Sequence, residues 1–273
     1  MSKMSKKSKE ITKEIIKDES ESESDEEEGS AIDIKPLKTK KSDLPQSAFM
    51  QADIINKFPS LTLCIGKSGS GKSNVVGNML TKKEFMKGFF NEVYLFSPTA
   101  KSDDLVEHLK LKEDHIIDNL DESAIDKLNE IVDNNTAMIE KEGIKHIAAK
   151  SKILIICDDC ISEKVFIKSN ILSRLATAGR HALISTIICS QSYTKVPRII
   201  RLQCQGLIIF PSSNDEIELL CEDLCPPGIT KRNFLEMIKF ATDERYSFLF
   251  VNHHAKDPKE KFRKKFSEII DFN

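Results

Sequence analysis

The sequence lacks the apolar run of about 18 residues that a membrane-spanning helix requires. Its lysine- and serine-rich N-terminus also lacks the apolar core of a secretory signal. No transmembrane helix and no secretion are therefore expected, and the seven cysteines are read as reduced thiols of a cytosolic-type compartment. Charge of one sign is not in excess: 41 lysines and arginines face 43 aspartates and glutamates, a net charge of −2. The total neither favours nor excludes a nucleic-acid partner. No internal repeat is present. The 273 residues fit one large domain, or one domain with tails, and suffice for a sizeable core.

What the chain does have is concentrated at residues 61–78, LTLCIGKSGSGKSNVVGN. The apolar run Leu61–Ile65 has the character of a buried strand. Behind it stand Gly66, Lys67, Ser68, Gly69, Ser70, Gly71, Lys72 and Ser73, which fit the spacing G-x-x-x-x-G-K-S. Backbone N–H groups of such a loop surround the β- and γ-phosphates of a nucleotide. Side chains at the glycines would hold the backbone away from the phosphate oxygens. Lys72 would reach the phosphates as a point charge, and Ser73 would ligate Mg²⁺. Asn74 completes the candidate nucleotide-binding set. A helix is predicted from about Lys72 to Leu80, its N-terminal dipole favouring an anion.

Along the chain, residues 1–45 hold ten lysines and twelve acids, including an acidic serine run at 18–29. Dense charge and few aromatics predict a disordered tail, readable as a phosphorylatable or partner-binding arm. Residues 35–41 add a short basic stretch suited to nuclear import or DNA contact. An ATPase domain is expected over residues 46–273. Strands are expected at 92–96, 153–157, 183–190, 206–210 and 246–251. Residues 101–150, with Ile116 and Ile117 in their apolar pattern, read as a charged helical insertion. Residues 252–273 read as a basic C-terminal extension. Strands alternating with helices predict an α/β fold with flanking helices and a mainly parallel sheet. Cys157 and Cys160 form a C-x-x-C, but Cys157 ends an apolar run, so packing is the expected role. Cys221 and Cys225 read the same way. With Cys204 nearby a zinc site stays open there, although no histidine stands at ligand spacing.

The chemistry downstream of the loop is carried by acids. Asp158 follows an unbroken apolar run and is placed as the carboxylate that a phosphate-bound Mg²⁺ needs. Asp159, directly after it, is the candidate to orient and deprotonate an attacking water. Gln191 ends the following strand. In phosphate-loop ATPases with an added strand, that strand lies between the loop strand and the acidic strand. A glutamine amide there can accept from water and donate to phosphate. Arg180 and Arg201 are the leading candidates to stabilise charge on the transferred phosphoryl group from a neighbouring subunit, ahead of Arg174 and Arg198. Residues 192–201 combine Lys195, Arg198 and Arg201 with Tyr193, a mixture that suits nucleic acid. An N-K-x-D motif after a strand is absent, which argues against a GTPase. An LSGGQ-like signature and an arginine-rich lid are also absent, against a transporter ATPase and a nucleotide kinase.

Taken together, GKSGSGKS, ILIICDD, GRHALISTIICSQSYTKVPRIIR and a GLIIF strand resemble the DNA-packaging ATPases of large double-stranded DNA viruses and virophages. These form the poxvirus-type branch of the FtsK/HerA superfamily of P-loop ATPases. The resemblance covers about residues 58–251. It implies a RecA-like P-loop NTPase core, ATP hydrolysis with Mg²⁺, and a homo-oligomeric ring, hexamer or pentamer. It further implies movement of double-stranded DNA into a preformed capsid, with capsid or portal-site proteins as partners, in the host cytoplasm or the virion. On this resemblance Gly66 to Ser73 are the nucleotide loop, Asp158 the metal acid, Asp159 the water-activating acid and Gln191 the sensor. Many superfamily members carry glutamate at the position of Asp159. No carboxylate cluster remains for a nuclease. A HerA-like DNA pump not dedicated to packaging, and a nucleotide-switched scaffold without turnover, are the alternatives.

Overall fold

The structure, a computed structural model, describes residues 44–102 and 104–271. Nearly all of the expected charged tail lies outside the described residues. In chain order the elements are α1 (Ala48–Gln51), β1 (Leu61–Ile65), α2 (Lys72–Thr81), β2 (Glu92–Phe96), α3 (Asp104–Leu109), β3 (Ile116–Ile117), α4 (Glu122–Glu142), α5 (Ile144–Lys150) and β4 (Ile153–Asp158). They continue with α6 (Lys164–Ser169), α7 (Ile171–Ala178), β5 (Ile184–Ser190), α8 (Arg198–Gln203), β6 (Gly206–Ile209), α9 (Asn214–Leu224), α10 (Lys231–Ala241), β7 (Leu249–Asn252), β8 (Phe262–Lys264) and β9 (Glu268–Ile269). Among the described residues no helix is long and apolar enough to cross a membrane.

The nine strands among the described residues form one sheet in the order β3-β2-β4-β5-β1-β6-β7-β8-β9. The run from β3 to β6 is parallel, and β7, β8 and β9 add antiparallel. Helices cover both faces, which is why β1, β5 and β6 are buried along their whole length. Alternate residues feed two cores. Leu61, Leu63 and Ile65 face the layer containing α4, α7, α9 and α10. Cys64 and Ile208 face the layer of α2, α3 and α5. A parallel sheet brings the C-terminal ends of its strands to one edge, where ligands of open α/β folds bind.

Two segments differ from their sequence expectation. Ile116 and Ile117 do not continue a helix; they pair in parallel with Leu95 and Phe96 as an edge strand. Two adjacent β-branched residues satisfy either periodicity, and the free edge of β2 decides the matter. The basic C-terminal extension carries two strands that were not expected, and β8 and β9 lengthen the sheet beyond the strand expected to be last. Phe262 is fully buried, and the Phe266 ring meets Phe85, Phe248 and Phe250 at 5.1, 5.1 and 5.0 Å. Three of its basic residues are paired: Arg263 with Glu260 at 2.6 Å, Lys264 with Asp243 at 2.8 Å and Glu244 at 3.1 Å, and Lys265 with Glu244 at 3.0 Å. Lysine-rich composition hid these aromatic anchors.

His253, which follows β7, supplies a pH test of this region. Burial pushes its imidazole down to about 4, with the Lys261 and His254 charges adding to the shift. In the unfolded chain the same group titrates near 6.5. The unfolded state therefore takes up the proton first as pH falls. The associated stability is complete above about pH 6.5 and is lost progressively towards pH 4. Urea midpoints measured across that window are expected to fall less steeply in His253→Gln than in the parent.

Candidate active site

The glycine-rich loop that follows β1 leaves the sheet at its C-terminal edge. Gly66 N–H donates to the Ser190 carbonyl of β5 at 3.0 Å, so the loop starts pinned to its neighbour strand. A Cβ on Gly66 would lie 2.6 Å from Ser70 Oγ and 2.7 Å from Phe210 Cβ, so only hydrogen fits. Gly69 and Gly71 take φ of 73° and 108°, the left-handed region that glycine enters without strain. Lys72 Nζ donates to the carbonyls of Gly66 at 2.7 Å and Lys67 at 3.3 Å, so the loop curls about its own ammonium. Ser70 Oγ is buried without a hydrogen-bond partner in the same loop. The first turn of α2 carries no acid to offset its dipole. A closely approached backbone, a held cation and an orphaned polar atom together fit a polyphosphate.

The acids meet this loop because β5 lies between β4 and β1. Asp158 ends β4, and Asp159 turns out of the strand with φ 53°, its N–H donating to the Cys189 carbonyl at 3.1 Å. Gln191, directly after β5, donates from Nε2 to Asp159 Oδ2 at 2.8 Å. Lys72, Ser73, Asn74, Asp158, Asp159 and Gln191 line a single cleft of about 840 Å³, together with Ser68, Gly69 and Gly71. Ser73 and Asp158 bring hydroxyl and carboxylate oxygens to that cleft, the hard donors that suit Mg²⁺.

The opposite wall was not anticipated from sequence. Thr99, Leu105 and His108, from the end of β2 and from α3, close the cleft beside α2. Their only signal was position: a segment following a parallel strand faces the ligand edge. Glu216 was also missed. It is buried in the first turn of α9 and accepts from Ser192 Oγ at 2.5 Å, Tyr193 N–H at 2.5 Å, Thr194 N–H at 3.2 Å and Thr194 Oγ1 at 3.0 Å. One carboxylate thus gathers the chain immediately after Gln191. An acid early in a helix reads in sequence as a favourable dipole partner and nothing more.

The arginines separate. Arg201 is engaged within its own chain: it pairs with Asp223, donates from Nε to the Val196 carbonyl at 3.2 Å, and lies over the Tyr193 ring at 5.1 Å. Tyr193 is itself buried and donates to Asp223 at 2.9 Å. Arg201 is thus held by a pair within its own chain. One expectation is corrected here. Tyr193 is a core ring, not an exposed aromatic for nucleic acid. Lys195 and Arg198 remain exposed on that segment. Arg174 is bound to Asn129 and Asp133 of α4. Arg180 lies at the other edge of the sheet, in a cavity of about 440 Å³ with Lys57, His181, His254 and Lys256. Neither Arg180 nor Arg201 lines the cleft that holds Lys72, Asp158 and Asp159.

The cysteines are packed. Six are buried and Cys225 is partly so, with Cys160 Sγ donating to the Phe96 carbonyl at 3.2 Å. Among the described residues no three metal-ligating side chains come together.

Comparison with known proteins adds the following. A family model described as Poxvirus A32 protein matches residues 46–255. A protein of Invertebrate iridescent virus 3, described as uncharacterized protein 088R, is 25% identical over 237 residues, covering 82% of this chain and 80% of the relative. Uncharacterized protein 075L of Invertebrate iridescent virus 6 is 26% identical over 156 residues, covering 57% and 56%. Among solved structures, the chain shares its fold with B204, the DNA-packaging ATPase from Sulfolobus Turreted Icosahedral Virus. That match has a TM-score of 0.52 at 13% identity and covers 79% of this chain and 99% of B204. The genome packaging NTPase B204 from Sulfolobus turreted icosahedral virus 2, in complex with ATP-gammaS, matches with a TM-score of 0.51 at 14% identity over 78% and 98%.

Proposed function

This chain belongs to the poxvirus A32 protein family, and on that premise we propose that it is an ATP-hydrolysing motor that moves double-stranded DNA into a preformed viral capsid. The observation that carries the hydrolytic part is the 2.8 Å bond from Gln191 to Asp159. It ties the polar end of the inserted strand to the acid beside the phosphate loop. A nucleotide binder without turnover has no need of that pairing.

In this reading the loop amides and Lys72 hold the β- and γ-phosphates of ATP. Ser73 and Asp158 hold Mg²⁺, which when bound neutralises phosphate charge. Asp159 takes the proton of the water that attacks the γ-phosphorus, and the bond to ADP breaks. Gln191 keeps that carboxylate turned towards the water's position.

The ring reading draws on the placement of the arginines. Head-to-tail packing would set the Arg180 edge of one sheet against the nucleotide edge of the next, offering Arg180 to the neighbour's γ-phosphate. Arg201 is the other candidate. Lys195 and Arg198 are offered to DNA phosphates, and capsid proteins are the expected docking partners at the site of particle assembly.

The test is ATP turnover by the purified protein with and without duplex DNA across a salt series. Stimulation by DNA is expected, weakening steeply between roughly 50 and 200 mM salt because backbone contacts release counterions. An oligomer with no turnover in either condition would sink the motor in favour of a scaffold. Depletion during infection separates packaging from a general DNA pump: empty but otherwise mature particles support packaging, and normally filled ones refute it.

A further inference from the structure

We infer that Tyr246, with Arg245 against its ring, is the platform on which the nucleobase of the bound nucleotide stacks. The inference rests on the nucleotide reading of the phosphate loop and extends it to a part of the ligand that no loop residue addresses.

Sheet order determines which side of the loop the base must occupy. Asp158, Asp159 and Gln191 stand at the ends of β4 and β5, on one side of β1. A triphosphate whose terminal phosphate faces them sends its nucleoside across the loop to the other side, where β6 and β7 lie. β7 runs antiparallel to β6 with Leu249 opposite Ile209. The residues just before β7 are therefore returned to the edge from which the phosphate loop emerges. Tyr246 is among them, and its Cδ1 lies 3.2 Å from the point a Cβ on Gly71 would occupy.

The ring is presented, not packed away. Tyr246 is 47% exposed, whereas Tyr193 and Tyr94 are buried. Its backbone takes φ 63°, an uncommon conformation for a bulky residue. The turn that imposes it is built on several bonds. Ser247 N–H donates to the Glu244 carbonyl at 3.1 Å, and Ser247 Oγ to the Ala241 carbonyl at 2.7 Å. Asp243 and Glu244 are strapped to Lys264 and Lys265 at 2.8 to 3.1 Å. The Arg245 guanidinium lies 4.7 Å from the ring centroid. A half-exposed aromatic ring held beside a phosphate loop, with a cation over one of its faces, offers its other face to the flat π-surface of a purine.

Binding of ATP and of inorganic tripolyphosphate, each with Mg²⁺, to the full chain tests this by calorimetry. In Tyr246→Ala, ATP affinity is expected to fall about tenfold, within the range of base–aromatic stacking. Tripolyphosphate affinity should stay the same, and Tyr246→Phe should bind ATP like the parent. Equal weakening of both ligands, or of neither, overturns the inference. A second variant needs no comparison of affinities. The chain contains no tryptophan, so Tyr246→Trp places a lone indole at the platform. Its fluorescence should be quenched by ATP and not by tripolyphosphate. Quenching by single-stranded DNA alone would reassign the ring to nucleic acid and overturn the proposal. If the parent binds tripolyphosphate as tightly as ATP, the platform fails while the loop reading stands. If it binds neither, both fail.

Discussion

Asp159→Asn is expected to lower ATP turnover by about two to four orders of magnitude, the contribution typical of a positioned general base, with ATP binding retained within a few-fold. Asparagine has the same size, and its side-chain oxygen can still accept from Gln191 Nε2, as Asp159 Oδ2 does at 2.8 Å. It also tolerates the φ of 53° found here. The substitution therefore removes the proton acceptor and leaves the local structure in place. Calorimetric titration with ATP and a thermal melt should both match the parent while turnover is lost. If turnover stays above about a tenth of the parent value, proton transfer to Asp159 is not a demanding step, and the water must be activated elsewhere.

Lys72→Ala is expected to remove both binding and turnover. Nζ is the donor to the Gly66 and Lys67 carbonyls at 2.7 and 3.3 Å, so it shapes the loop as well as charging it. Truncation leaves those carbonyls without their donor and takes the positive charge from the transferred phosphoryl group. Turnover should fall by about two to three orders of magnitude, the scale of losing one preorganised electrostatic contact. The rise in melting temperature that ATP produces in the parent should disappear, because stabilisation by a ligand follows its affinity. An unchanged thermal shift with ATP would show that the loop holds the nucleotide without its lysine. The two variants thus separate the roles: Lys72 in holding phosphate, Asp159 in chemistry alone.

Local sequence was informative where one segment alone dictates the structure. Leu61–Ile65 must be a buried strand because it is apolar throughout, and the glycines after it allow the left-handed turns and the close approach that the loop makes. Asp158 and Gln191 were legible for the same reason: each follows an apolar run at the ligand edge of a parallel sheet. Ile116–Ile117 and the β8–β9 pair were not legible, because such short strands exist only through the edges they join.

The sequence by itself determined that a glycine-rich loop, an acidic strand end and a glutamine strand end lie in one α/β fold, since each is a short-range pattern with its own backbone demand. Tertiary structure alone decided what those groups touch. Setting β5 between β4 and β1 joins Gln191 to Asp159. The packing of α9 ties Arg201 to Asp223 and spends Glu216 on the chain after Gln191. The antiparallel return of β7 carries Tyr246 to Gly71. Each of these joins residues far apart in the chain, and their side chains meet only once the sheet order is set, which no local periodicity encodes.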